Sequence, residues 1–438
     1  YPNVDSSPVC RVRAPGARRR VRRPGCRARK WPAVDRLERH GDAEGRAISL
    51  VVLVVDLAVE QLASDIHFES GADYFRVRFR IDGVLEIIAT PAMHLRDAIL
   101  SRLKVQARMD IAEKRIPQDG RIQYAYKNQT IDLRVSSLPT LHGEKIVVRI
   151  LNFNRARASL SELGYEAEQQ AILVEALQKP HGLLLMTGPT GSGKTRSLYS
   201  CLDLLNQPEV NVSTVEDPSE IHLPGANQVN INHKAGLTFA NTLRALLRQD
   251  PDIIMIGEIR DLETAEIAVQ AAQTGHLVLS TLHTNDAPGT LARLRHMGIA
   301  TFNIAASVSL ITAQRLVRCL CNACKSPVSE DIRLALLSNL TTHDRQALKI
   351  QLQNHIGHIF QPVGCEACNK GYKGRIGLFQ VMPITETMQA LILRDLDTQT
   401  LASQAALEGV LTLRQSGWVK VLQGVTSVEE VMATTQHG

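Results

Sequence analysis

Gly182-Leu183-Leu184-Leu185-Met186-Thr187 runs directly into Gly188-Pro189-Thr190-Gly191-Ser192-Gly193-Lys194-Thr195, and a helical pattern opens at Arg196. The first six residues read as a short buried strand. The next eight match G-x-x-x-x-G-K-[ST] at every fixed position. Such a loop points successive backbone N–H groups at one spot beside a helix N-terminus, and phosphate binds there. Lys194 is placed to reach the β- and γ-phosphates of a nucleotide, and Thr195 to ligate Mg²⁺. A chance match in a Gly/Ser loop would not need the flanking strand and helix, whereas the phosphate mechanism does. Gly188, Pro189, Thr190, Gly191, Ser192, Gly193, Lys194 and Thr195 are therefore the expected nucleotide-binding residues.

Strand and helix alternate outward from this loop over residues 156–318. That alternation builds an α/β fold with a mostly parallel sheet covered by helices. Val212-Ser213-Thr214-Val215 leads into Glu216-Asp217-Pro218-Ser219-Glu220. Ile253-Ile254-Met255-Ile256 ends in Gly257-Glu258-Ile259-Arg260-Asp261. Leu277-Val278-Leu279-Ser280-Thr281 ends at Leu282-His283-Thr284-Asn285-Asp286. Ligands of open α/β sheets bind beyond the carboxyl ends of the strands, so all three polar clusters fall where a nucleotide would lie. A carboxylate such as Glu258 can orient or deprotonate an attacking water. His283 alone would read as a surface histidine. As the third polar cluster at a strand end after a phosphate loop, it reads as functional.

Cys321-Asn322-Ala323-Cys324 and Cys365-Glu366-Ala367-Cys368 follow. Two C-x-x-C knuckles can wrap one tetrahedral Zn²⁺ in a closed, structural site. Disulfides do not suit a cytosolic nucleotide enzyme, and a thioredoxin-like motif needs only one pair. The intervening stretch reads as helical, and Gly371-Tyr372-Lys373-Gly374-Arg375-Ile376-Gly377 as a Gly-rich turn. Residues 385–435 read as amphipathic helix broken by Gly409, Gly417 and Gly424 and packed on the nucleotide domain.

The 438 residues suffice for two or more domains. Hydrophobic content of 44% and charged content of 21% are ordinary for a globular protein. The aromatic content of 4% argues against a lectin-like or base-stacking surface. No apolar run reaches the length of a membrane span; residues 48–57 are too short, and Glu60, Gln61 and Asp65 follow them. Any membrane role is expected to be peripheral. The net charge of +6 is concentrated in residues 1–45, where Arg18, Arg19, Arg20, Arg22, Arg23, Arg27, Arg29 and Lys30 cluster. A basic arm can bind nucleic acid or acidic lipid. Without hydrophobic periodicity, this stretch is instead expected to be a disordered tail or non-native sequence.

Residues 46–155 read as a smaller α/β domain. Residues 48–63 have helical spacing, Phe75-Arg76-Val77-Arg78-Phe79-Arg80-Ile81 alternates as a half-exposed strand, and Asp82-Gly83 turns into Val84-Leu85-Glu86-Ile87-Ile88. Residues 91–109 read as helix, Asp119-Gly120 as a second turn, and 131–135 and 146–151 as strands, the last closing the unit. Arg121, Arg134 and Arg149 lie on or beside these strands. They form either a solvated strand face or charge held ready for a nucleotide phosphate.

Together these residues resemble the secretion ATPases that drive type II secretion and type IV pilus assembly. The resemblance runs from about Ile48 to the C-terminus. Thr214-Val215-Glu216-Asp217-Pro218 matches that family's acidic box, Gly257-Glu258-Ile259-Arg260-Asp261 its Walker B, and Thr274-Gly275-His276 through His283-Thr284-Asn285-Asp286 its histidine box. Ala63-Ser64-Asp65-Ile66-His67 and Arg78-Phe79-Arg80-Ile81-Asp82-Gly83 match its preceding domain, and the paired cysteines its assembly branch. The resemblance implies a homo-hexameric ring, with a PAS-like domain over 46–155 hinged to a RecA-like ATPase domain over 156–438. The latter would include a zinc module at 319–375 and a C-terminal helical segment at 385–435. It implies Glu258 as the catalytic carboxylate, Glu216 placing water and metal, and His283 sensing the γ-phosphate. Arg121, Arg134 and Arg149 would stabilise transferred charge as the domains close. Cys321, Cys324, Cys365 and Cys368 would hold Zn²⁺, with ATP and Mg²⁺ at the phosphate loop. The implied place is cytoplasmic and peripheral at the inner membrane, on a platform protein of a pilus or secretion system; family members usually dock through a further N-terminal domain, which the Arg-rich stretch of residues 1–45 replaces here. Nucleic acid is not an expected partner; the alternative is a DNA-uptake or translocation motor of the same superfamily. Gln380 departs from the pattern, since an acidic residue usually follows the Gly-Arg-Ile-Gly segment.

Overall fold

The computed structural model describes residues 43–151, 158–338, 340–348, 359–395 and 397–435. The basic run at residues 1–42 lies outside them, so the expected tail is not described beyond its last residues. A helix, Ala43–Glu60, already begins within the stretch assigned to that tail.

Six strands form the first sheet: β1 (Asp65–Ser70), β2 (Phe75–Ile81), β3 (Val84–Ala89), β4 (Gln118–Tyr126), β5 (Gln129–Thr140) and β6 (Gly143–Leu151). All pairings are antiparallel, in the order β3-β2-β1-β6-β5-β4. The alternation in β2 sends Phe75, Val77 and Phe79 into a core with Ile66, Phe68, Val135 and Val148, under Ala43–Glu60 and the helix Arg96–Gln106. Arg76, Arg78 and Arg80 take the opposite face. Asp82 and Gly83 both have positive φ, as a two-residue hairpin turn of the primed type demands.

One expectation fails in this sheet. Asp119-Gly120 is no turn but part of β4, with Gly120 opposite Val135. Glycine is needed there because a Cβ would run into the Ala107 carbonyl. β6 ends the unit along the chain, as expected, and sits centrally in the sheet, between β1 and β5.

The second sheet contains β7 (Gly182–Thr187), β8 (Val212–Glu216), β9 (Asn227–Asn230), β10 (Ile253–Ile256), β11 (Leu277–Leu282) and β12 (Val308–Leu320). A two-stranded ribbon, β13 (Ser326–Pro327) with β14 (Phe360–Gln361), precedes its last member, β15 (Tyr372–Pro383). The order is β15-β12-β7-β11-β10-β8-β9, parallel except for β15. Near-continuous apolar strands reflect burial on both faces. Leu183 and Leu185 of β7 join the core on one face, Leu184 and Met186 that on the other. Crossover helices Lys194–Leu205, Phe239–Leu246, Leu262–Gln273 and Ala287–His296 supply the cover.

Residues 371–377 were expected as a turn, yet Tyr372 onward is strand, with Gly377 opposite Leu316. A Cβ at Gly377 would meet the Leu163 carbonyl at 2.8 Å, so that glycine serves close packing. Gly417 does not break a helix either: it lies within Leu413–Leu422, pressed against Val431. Gly409 and Gly424 do end helical segments, both with positive φ.

Candidate functional site

β7 delivers the phosphate loop to the carboxyl edge of the second sheet. Gly188, Gly191 and Gly193 all have positive φ, which glycine alone adopts without strain. A Cβ at Gly188 would also lie 2.5 Å from the Gln314 carbonyl oxygen. Lys194 opens the helix, and its buried ammonium donates to the carbonyls of Gly188 (2.8 Å) and Pro189 (3.1 Å). Burial lowers its pKa to about 8 against the attraction of Glu258. Thr195, half-buried, follows it on the first turn. Ser192 Oγ is buried at this loop without a hydrogen-bond partner among the described residues. Convergent N–H groups, a lysine and an unpaired hydroxyl fit a nucleotide phosphate with its Mg²⁺.

β10 ends one residue before Gly257, whose backbone N–H donates to Val215. A Cβ there would lie 3.3 Å from that carbonyl and 3.4 Å from the Glu216 Cα, so the two carboxylate-bearing strand ends run close together. Glu258 pairs with Arg260, and its other oxygen lies 3.6 Å from His283 Nε2. Burial, then Lys194, lowers the His283 pKa against the pull of Glu258. The imidazole is therefore neutral at pH 7. Lys194, Glu258 and His283 thus share one electrostatic neighbourhood at the edge of the sheet.

Glu216 is held by a hydrogen-bond network of its own. Its buried carboxylate accepts from the Tyr199 hydroxyl (2.8 and 2.7 Å), Thr214 Oγ1 (2.8 Å) and Gln228 Nε2 (3.2 Å). Burial raises its pKa, although these donors favour the charged form. Tyr199 lies on the phosphate-loop helix, so the network ties that helix to β8.

Arg121, Arg134 and Arg149 form one rung across β4, β5 and β6. Arg149 pairs with Asp65 at 2.9 Å. Arg134 donates to the Ser219 carbonyl at 3.3 Å, which sets the first sheet against the loop after β8. Burial lowers its pKa against the pull of Glu220, and the other two arginines lower it further. Among the described residues, no hydrogen bond or ion pair joins these arginines to Lys194, Glu258 or His283.

The Sγ atoms of Cys321, Cys324, Cys365 and Cys368 all lie within 4.8 Å of one another. Cys321–Cys365, Cys324–Cys368 and Cys365–Cys368 are separated by 3.9, 3.7 and 3.6 Å. A tetrahedron with Zn–S bonds of about 2.3 Å has edges of about 3.8 Å, so this donor set fits zinc. Backbone N–H groups of Gly364 and Cys365 donate to Cys324 and Cys368.

β12 holds two site residues that the motif reading missed. Gln314 donates to the Ser192 carbonyl at 2.7 Å, and Arg315 reaches across to Asn285. The signal available was an apolar strand pattern interrupted by adjacent polar residues. Gln380, the departure noted above, accepts from the Ala287 N–H at 2.9 Å. Its amide oxygen satisfies a free donor at the start of Ala287–His296, whose cap, Asp286, already supplies the carboxylate.

The family described as type II/IV secretion system protein matches residues 41–433. Type IV pilus assembly ATPase PilB of Acinetobacter baylyi is 56% identical over 386 residues, 88% of this chain and 65% of that protein. Type II secretion system protein E of Aeromonas hydrophila is 44% identical over 404 residues, 90% of this chain and 77% of that one. The chain spans about two thirds of the length of the pilus relatives, 65% in Acinetobacter baylyi and 66% in Pseudomonas aeruginosa. Among solved structures, the Legionella pneumophila ATPase DotB superposes with a TM-score of 0.63 at 20% identity, over 87% of this chain and 95% of its own. The pilus retraction motor PilT with bound ADP gives 0.58 at 24% identity, over 87% of this chain and 95% of that one. Both ATPases share the α/β architecture. By the family match over nearly its whole length and its identity to these relatives, the chain belongs to the type II/IV secretion system protein family.

Proposed function

We propose that the chain is the ATP-hydrolysing motor subunit of a type IV pilus or type II secretion system. The observation that carries this reading is the convergence of the phosphate loop, Glu258 and His283 at one edge of the second sheet, with Glu258 between His283 and Arg260. Glu258 orients the attacking water, and His283, neutral beside it, reports on the γ-phosphate. Thr195 holds Mg²⁺, which supplies charge neutralisation at the phosphates. Glu216, hydrogen-bonded to Tyr199 of the phosphate-loop helix, helps to place water and metal.

The second sheet is read as a RecA-like ATPase unit over 156–438, and the first as a PAS-like unit over 46–155. The rung of Arg121, Arg134 and Arg149 supplies charge to the nucleotide when the two close. The four cysteines hold a structural Zn²⁺ within 319–375. We read the assembly as a homo-hexamer at the cytoplasmic face of the inner membrane, driving a platform protein, a reading that family membership supports. The relatives' names support pilus or secretion assembly over nucleic-acid translocation. No described helix is long and apolar enough to cross a membrane.

Glu258→Gln tests the reading. The variant is expected to bind ATP with wild-type affinity and to lose steady-state hydrolysis by on the order of a hundredfold or more. Turnover at the wild-type rate would remove Glu258 from the chemistry, and absence of ATP turnover by the wild-type chain would remove the hydrolase reading.

A further inference from the structure

β12 is parallel to β7, and the pairing of Ala313 with Thr187 carries Gln314 and Arg315 just past the point where β7 becomes the phosphate loop. Gln314 is spent on the Ser192 carbonyl. Arg315 turns the other way. One terminal nitrogen donates to its neighbour's carbonyl, Gln314 O, at 3.2 Å. The other donates to both the backbone oxygen and Oδ1 of Asn285, each at 3.1 Å. All three acceptors are neutral. The Asp286 carboxylate, whose negative charge acts on Arg315, accepts from the Gly289 N–H as a helix cap. Asn285 lies two residues beyond His283 on the loop leaving β11. The positive charge of Arg315 also acts on Lys194.

We propose that Arg315 is a positioning residue for phosphoryl cleavage, which fixes the His283 loop against the phosphate loop by holding Asn285. The inference rests on the hydrolase reading above. A planar guanidinium suits this task because it can serve several oxygens in fixed directions, whereas an ammonium cannot. Loss of the clamp lets His283 and Glu258 drift relative to the nucleotide while the phosphate loop itself stays formed. Small misplacements of that kind affect the chemical step far more than ground-state binding.

The test uses the full chain, steady-state ATP hydrolysis and direct ADP binding. Arg315→Ala is expected to lower kcat by on the order of tenfold, with KM for ATP and the ADP affinity within about twofold of wild type. Arg315→Lys keeps the charge but not the fork, and is expected to recover little of that loss. Asn285→Ala removes one acceptor and gives a smaller loss, and the double variant is no worse than Arg315→Ala alone. Full recovery by lysine would replace positioning with a pure charge effect. Additive losses in the cycle, or a loss confined to KM, would overturn the clamp. Should Arg315→Ala fail to fold, Arg315→Lys and Asn285→Ala decide the question. Glu258→Gln in the same assay separates the two readings. If it is inactive while the Arg315 and Asn285 variants turn over normally, only the positioning role falls; if the wild-type chain itself does not turn over ATP, the hydrolase reading falls.

Discussion

Lys194 rests on two carbonyls of its own loop, and burial leaves its amine with a pKa near 8. Phosphate binding needs the charged form. Above pH 8 the free protein must take up a proton to bind nucleotide, so affinity should fall by up to about tenfold per pH unit. Below pH 8 the charged form is already dominant and affinity should be flat. Nucleotide titrations from pH 6.5 to 9.5 would show this, and Lys194→Arg should remove the alkaline decline, because guanidinium stays protonated. At this scale the sequence was informative wherever chemistry fixes the spacing of neighbours along the chain. Lys194 was visible from the spacing of the phosphate-loop motif, and Glu258 and His283 as polar residues ending apolar strands. Gln314 and Arg315 were not, because their partners lie far along the chain: 122 residues separate Gln314 from Ser192. Only the pairing of β12 with β7 brings them to the loop.

Glycine was misread at the scale of elements for a related reason. Gly120 and Gly377 look like turn residues, yet each marks a strand pressed against another backbone carbonyl, which no local pattern reveals. The Asp82-Gly83 turn was legible because its signal is complete in two residues. A buried ion pair was equally hidden. Lys104, on Arg96–Gln106, reaches Glu144 of β6 at 2.9 Å and the Glu113 carbonyl at 2.6 Å, with both side chains almost wholly enclosed. Removing one partner strands a charge. Lys104→Met should therefore cost about 3–5 kcal/mol in urea unfolding, while Lys104→Met with Glu144→Leu should regain most of that stability. If the double variant were as weak as the single, the pair would owe its value to packing rather than charge.

At the scale of the whole molecule, hydrogen bonds among the described residues join the first sheet to the second unit at two separated places. Arg134 donates to Ser219. The β2–β3 hairpin reaches the cysteine knuckles, where Asp82 accepts from the Gly374 N–H at 2.7 Å and Glu86 accepts from Asn369. Arg375 also approaches Asp82, at 3.9 Å. Chelating a metal from the four cysteines should loosen this platform. Faster amide exchange is expected across residues 80–86 and 369–375, with no change at 217–220, and Asp82→Ala should have the same effect on the hairpin without a chelator. Unchanged exchange in the hairpin after metal removal would show that the docking does not depend on the knuckles' fold. Two separated contacts also have a kinematic consequence. A rigid plate pinned at two points keeps a single degree of freedom, rotation about the line that joins them. Releasing the contact at the cysteine knuckles is then expected to leave the first sheet free to swing about Ser219, with the knuckles in the role of a bolt.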